Sequence, residues 1–136
     1  MNLETVFSIA NTLVLPLWIL MIFAPHWRWT QKLANSYLIP SLLAIVYAYY
    51  ILTGLGDLDF RAFSTLAGVM KLFTYDQGVL AGWIHYLCFD LMAGSWIFKD
   101  SLERGNNRIV IGICLFFCFM LGPIGLLLYL GSRRFA

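Results

Sequence analysis

Residues 108–131 read "RIVIGICLFFCFMLGPIGLLLYLG", and the reading of this stretch decides how often the chain crosses a membrane. Its length suits the run of about 20 apolar residues that a bilayer core requires, so it is expected to be a single transmembrane helix. Within it, Pro123 lacks a backbone N–H and frees the Phe119 carbonyl, while Gly122 and Gly125 permit a bend or a close helix approach. Packing explains such a segment as readily as chemistry does, because small residues and prolines are common in membrane helices.

Working outward, three more apolar segments have similar length, at about 4–24, 35–55 and 78–98. The chain of 136 residues is 61% hydrophobic and 12% charged, with a mean hydropathy of +0.79. A soluble domain this small cannot hide so much apolar surface, which leaves the integral membrane class. Backbone exposed to lipid must satisfy its own hydrogen bonds, so the segments are expected to be helices. The expected fold is all-α, an integral membrane four-helix bundle forming one domain over residues 1–136. The connections "PHWRWTQKLAN" and "KDSLERGNNR" are short and polar. The longer one contains residues 60–74, where Phe60, Phe63, Leu66, Ala67, Met70 and Phe73 recur three or four apart. That spacing predicts a short amphipathic helix between helices 2 and 3, lying on the membrane surface. A lid over a site opening is the sharper alternative for the same segment.

The N-terminus has no basic region and carries Glu4, so it reads as a retained helix rather than a secretory signal. Four spans put both termini on one side, here side A. Side A then holds Arg61, Lys71, Arg133 and Arg134, against Arg28, Lys32, Lys99, Arg104 and Arg108 on side B. That balance does not fix orientation, although two cations soon after helix 1 favour side B as cytoplasmic. A net charge of +2 points to no nucleic-acid partner. Trp27, Trp29, Trp96, Tyr129 and Tyr75 fall near expected interfaces, where aromatics anchor.

Few chemistries remain. Cys88, Cys114 and Cys118 lie in apolar runs without metal-ligand spacing and read as small buried hydrophobes. His26 and His85 differ in depth by about 20 Å, too far to share a haem. Asp57 and Asp59 resemble a solvated turn more than a metal site. No cofactor motif is present, and none is called for. Attention falls on "WIHYLCFDLMAG", residues 83–94. Asp90 lies about 18 Å from side A, near the midplane, where a carboxylate costs about 3 kcal/mol and so is expected to face a cavity or the bundle interior. His85, Asn11 and Tyr47 share a layer about 10 Å deep, with Pro123 near 12 Å. At 100° per residue, Asp90 shares its stripe with Trp83, Tyr86, Ala93 and Gly94, whereas His85 lies with Cys88, Phe89 and Met92. The two ionisable groups therefore look toward different neighbours. A structural role, each bonded to a neighbour in the core, competes with a catalytic one.

Read as a string, three runs carry a resemblance: G-V-x-x-L-F at Gly68–Phe73, W-x-H-Y-x-x-F-D-L at residues 83–91 and F-M-x-G-P-x-G-L-L-x-Y at residues 119–129. In that order and spacing the chain resembles the abscisic-acid-deficient-four-like family, small four-helix membrane proteins of plant plastids and bacteria. It departs at Ile113, where a proline before the cysteine is expected, leaving helix 4 less bent on side B. The resemblance implies a part in xanthophyll metabolism, the plant members being tied to making neoxanthin from violaxanthin. That conversion opens an epoxide to an allene without net redox change, and asks for an acid and a base but no metal or nicotinamide. On this reading the chain is a cofactor-independent membrane isomerase acting on a carotenoid, xanthophyll or related isoprenoid. Depth and chemistry nominate Asp90 and His85 as catalytic groups, with Tyr86, Tyr47, Asn11, Trp83, Gly94 and Pro123 around the substrate. The alternatives are a non-catalytic pigment- or lipid-binding protein and a subunit of a larger membrane complex. Expected partners are membrane lipid and an apolar isoprenoid or carotenoid, and a unit this small is compatible with a homodimer. The expected location is a bacterial inner membrane or a thylakoid or other plastid membrane.

Overall fold

The computed structural model describes residues 2–54 and 59–133, and these are helical throughout apart from short connections. Asp57 and Arg134, named above, lie outside the described residues. Helix α1 (Leu3–Phe23) opens with the Thr5 N–H donating to the Asn2 side chain at 2.7 Å, and Glu4 in its first turn suits the positive end of the helix dipole. The connection after it is not irregular. Residues Arg28–Ser36 form α2, which buries Thr30 and Ala34 one turn apart, and Tyr37 turns the chain with a left-handed φ of 53°. Helix α3 (Leu38–Gly54) follows directly. Two stretches, Leu3–Phe23 and Arg28–Gly54, are long and apolar enough to cross a membrane.

The amphipathic stretch at 60–74 is present in two pieces. A 3₁₀ turn spans Phe60–Ser64, and α4 spans Leu66–Leu72. The break lies at Thr65, whose hydroxyl accepts from the Gly68 N–H at 3.0 Å and so starts a new helix instead of continuing the old one. The apolar side chains of the expected stripe, from Phe60 through Met70 to Phe73, are exposed.

Helix α5 (Asp76–Arg104) is the axis of the molecule, packed against α1, α2 and α3 and against both helices that follow. Contacts fix directions. Phe7 meets Trp83 and Trp18 meets Gly94, so α1 and α5 run the same way. Tyr47 meets His85 and the Pro40 carbonyl accepts from Cys88, so α3 runs oppositely.

Residues 108–131 differ from expectation. They form α6 (Arg108–Leu121) and α7 (Pro123–Ser132), with Gly122 between them at φ 44° and ψ −94°. Helix α7 runs back along α6. Cys114 Sγ and Ser132 Oγ lie 4.0 Å apart, where one continuous helix would hold these residues roughly 27 Å apart. Gly125 lies so close to the backbone of Cys114 and Cys118 that a β-carbon would not fit. The physical reasons lie in the sequence: Pro123 cannot donate back into α6, and Gly122 adopts a conformation that side chains oppose. The arms are about 21 Å and 15 Å long, each short of the roughly 30 Å apolar core of a bilayer.

The hairpin thus descends from side B to the level of Asp90 and returns. Arg133 ends up on side B, not side A, with its Nε 3.2 Å from Asp100 Oδ2. The expected bend is a full reversal, and the N-terminal residues lie at the opposite end from the last described ones. Tyr129, expected as an interfacial anchor, is fully buried, packs edge-on against Trp96 and donates its hydroxyl hydrogen bond to Asp100.

Candidate functional site

Helix α5 separates the candidate residues onto two flanks. On the hairpin flank, the tip of α6–α7 is set against Asp90. Gly122 approaches the Asp90 carboxyl so closely that a β-carbon there would have to displace it. The Tyr86 hydroxyl lies beside that carboxyl and donates to the Met120 carbonyl at 3.0 Å. Cys118 Sγ donates to the Asp90 main-chain oxygen at 3.6 Å. One carboxylate oxygen, Oδ2, is enclosed yet has no hydrogen-bond partner among the described residues. An orphaned buried oxygen is costly unless something else pairs with it, so this atom is the unusual feature of the flank.

Below the tip the site is aromatic. Trp83 stacks on Tyr86 with ring centroids 5.3 Å apart, and its indole N–H donates to Asn11 Oδ1 at 2.8 Å. Phe7 packs on Trp83 at 5.7 Å. Phe7 and Trp83 border a cleft of about 380 Å³ that reaches Leu3, Glu4 and Asp76 at side A. One turn above Asp90, Gly94 receives the Trp18 ring, which also packs on Phe119 at 5.5 Å. Gly94 thereby admits an indole, and Pro123 lies at the level of Asp90 rather than in the layer of His85.

On the other flank, His85 and Tyr47 face each other edge-on, with centroids 5.5 Å apart. They stand between two adjoining clefts. One, of about 350 Å³, rises along Pro40, Ala44, Cys88 and Met92; the other, of about 270 Å³, descends to Phe63, Val69 and Phe73. Together they form an apolar groove following α5 from Gly78 to Met92, about 21 Å of helix. The structure thus brings together Asp90, Tyr86, Trp83 and Asn11, brings together His85 and Tyr47, and does not join the two sets. Asn11 lies near the depth of His85, as expected, but on the hairpin flank, where it accepts from Trp83.

The sequence reading missed Trp18, the Met120 carbonyl and the Gly122 turn as parts of the Asp90 surroundings. The Gly-Pro pair was a usable signal; the Met120 carbonyl had none. At the hairpin base, Asp100 Oδ2 accepts from Tyr129 and from Arg104 Nε at 3.0 Å. Partial burial pushes the Asp100 carboxyl up, but the Tyr129 hydroxyl and the Arg104 and Arg133 charges outweigh it and hold it below the usual carboxylate range. Among the described residues, no three His, Cys, Asp or Glu side chains gather as a metal site.

These features define a small helical protein in which a broken helix meets a half-buried carboxylate halfway along the central helix. Residues 5–129 match the ABA DEFICIENT 4-like family, and the chain belongs to that family. It is similar to the Arabidopsis thaliana protein "ABA DEFICIENT 4, chloroplastic", with 31% identity over 131 residues that cover 90% of this chain. The chain spans 58% of that relative's length. No solved structure matches it.

Proposed function

We propose that the chain is a single-domain integral membrane protein, with α1, α3 and α5 crossing the bilayer and α6–α7 entering halfway, and that it isomerises a carotenoid or related isoprenoid by acid–base chemistry. The observation carrying this reading is the Asp90 carboxyl at the hairpin tip, with the Tyr86 hydroxyl beside it and an enclosed Oδ2 that has no hydrogen-bond partner among the described residues. A carboxyl group in such a place has a poor hydrogen-bonding life unless a substrate completes it.

In the reaction read here, a xanthophyll epoxide lies with its end group under the tip, against Trp83 and Tyr86. A proton is placed on the epoxide oxygen, its carbon–oxygen bond breaks, and a proton leaves the polyene carbon to form the allene. Electrons balance without an oxidant, and Asp90 with Tyr86 supplies two proton-handling groups side by side. His85 lies on the other flank of α5 and does not form a dyad with Asp90. Membership in the family supports a carotenoid-related role. The chloroplastic relative favours a plastid-type membrane for this chain.

A second reading rests on the groove at His85. A polyene held there would touch Tyr47 and Phe89 but not Asp90, as in a pigment carrier without turnover. The test is co-expression of the chain with a violaxanthin-producing pathway, followed by pigment chromatography. Conversion to an allenic product that disappears in Asp90→Asn supports the isomerase. Abundant folded protein with an unchanged pigment profile would count against it, and unconverted pigment that co-purifies with the protein would favour the carrier.

A further inference from the structure

We infer that the outer face between the end of α1 and the start of α6 holds one phosphate-bearing, anionic membrane lipid. A shallow trough of about 670 Å³ runs there. Its floor is apolar, formed by Ile22, Gly112 and Phe116 among others, and at its side B end stand Arg108 and His26. This is the layout of a headgroup site above an acyl-chain channel. Gly112 keeps the channel open: a β-carbon there would meet nothing nearer than an Ile22 methyl at 3.9 Å.

Charge identifies the occupant. Asp100, the acidic group at the hairpin base, is engaged by Arg104 and Arg133. Arg108, which lines the trough, donates through Nε to the Asn106 carbonyl at 3.1 Å, and its enclosed Nη2 has no partner among the described residues. Its guanidinium therefore keeps a positive charge that no carboxylate of the described residues balances. The surroundings reinforce it. Among the described residues, side B carries Arg28, Lys32, Lys99, Arg104, Arg108 and Arg133 against Asp100 and Glu103, while side A carries Arg61 and Lys71 against Glu4, Asp59 and Asp76. An anionic headgroup is complementary to this end, and a zwitterionic one gains less.

The inference rests on the membrane setting proposed above but not on the isomerase. Its test is native mass spectrometry of the full chain in detergent, offered phosphatidylglycerol or phosphatidylcholine with the same acyl chains. One phosphatidylglycerol should be retained, with a preference of about fivefold or more over phosphatidylcholine. Arg108→Gln should abolish the preference. Gly112→Leu, which fills the channel without altering charge, should reduce retention of both lipids while helicity stays unchanged. Inorganic phosphate should compete weakly; competition as strong as that of the lipid would mean that the site reads a free anion and overturn the lipid assignment. Equal retention of the two lipids, or an intact preference in Arg108→Gln, overturns it as well. So does a dimer that Gly112→Leu splits without loss of lipid, because the trough would then be a contact between copies. A chain that remains in solution without detergent refutes the membrane setting itself, a failure distinct from these.

Discussion

On one flank of α5, Asp90 and Tyr86 face the hairpin; on the other, Cys88 donates to the Pro40 carbonyl of α3, and His85 meets Tyr47 beside an open groove. The hairpin flank is closed and its geometry over-determined, because Gly122, Met120 and Cys118 all lie against the same turn of α5. The groove flank is open at His85 and Tyr47, where two rings meet edge-on with no hydrogen bond between them. Proton chemistry needs groups fixed within tenths of an ångström, whereas retention of a long apolar molecule needs length and surface. The two flanks of a single helix thus suit different tasks.

The largest expected effect comes from destroying the closed flank. Gly122→Val places a branched side chain where φ is 44° and where the Asp90 carboxyl leaves no room. A loss of roughly 3 kcal/mol or more is expected, seen as poor yield of folded protein or a marked fall in thermal midpoint. A midpoint equal to wild type would mean that the reversal at Gly122 is not what holds the hairpin. Asp90→Asn comes next: turnover should fall about 100- to 10,000-fold, with near-normal folding. Normal product from this variant would move the chemistry away from the closed flank.

Tyr86→Phe removes the bond to Met120 and should cost about 1 kcal/mol of stability while slowing turnover less than Asp90→Asn does. For the open flank, His85→Leu should leave turnover intact and alter only the pigment that co-purifies. Equal losses in His85→Leu and Asp90→Asn would erase the distinction between the flanks. The smallest effect lies at the hairpin base. The folded-state affinity of Asp100 for protons is lowered, so its contribution is present above its unfolded pKa of about 3.9 and fades as pH falls through the lower folded value. Thermal midpoints between pH 7 and pH 3 should therefore show an acid-sensitive component that Asp100→Asn lacks.

The division of α5 was legible in the sequence because a helix turns 100° per residue whatever surrounds it. Trp83, Tyr86 and Asp90 lie on one side, and His85, Cys88, Phe89 and Met92 on the other, as that rotation requires. The course of residues 108–131 was not legible from hydropathy, since a crossing helix and a reversed pair are equally apolar. What distinguishes them is the Gly-Pro break at 122–123 together with a polar Tyr129 that finds Asp100. A long-range pair of that kind has no periodic signature. The same limit hid the link between Asn11 and Trp83, which depends on how α1 is rotated against α5.

The reversal at Gly122 has a consequence for how the protein comes to be in its membrane. In the setting proposed here, the chain crosses an odd number of times, so tags on its two ends should be reachable from opposite compartments. Compared with a fourth crossing, the reversal keeps Arg133 at the side B end beside Asp100, and so spares it a transfer that costs about 3 kcal/mol per charge at the centre of a bilayer. The α6–α7 hairpin can therefore enter as a wedge from side B, after the other helices are in place.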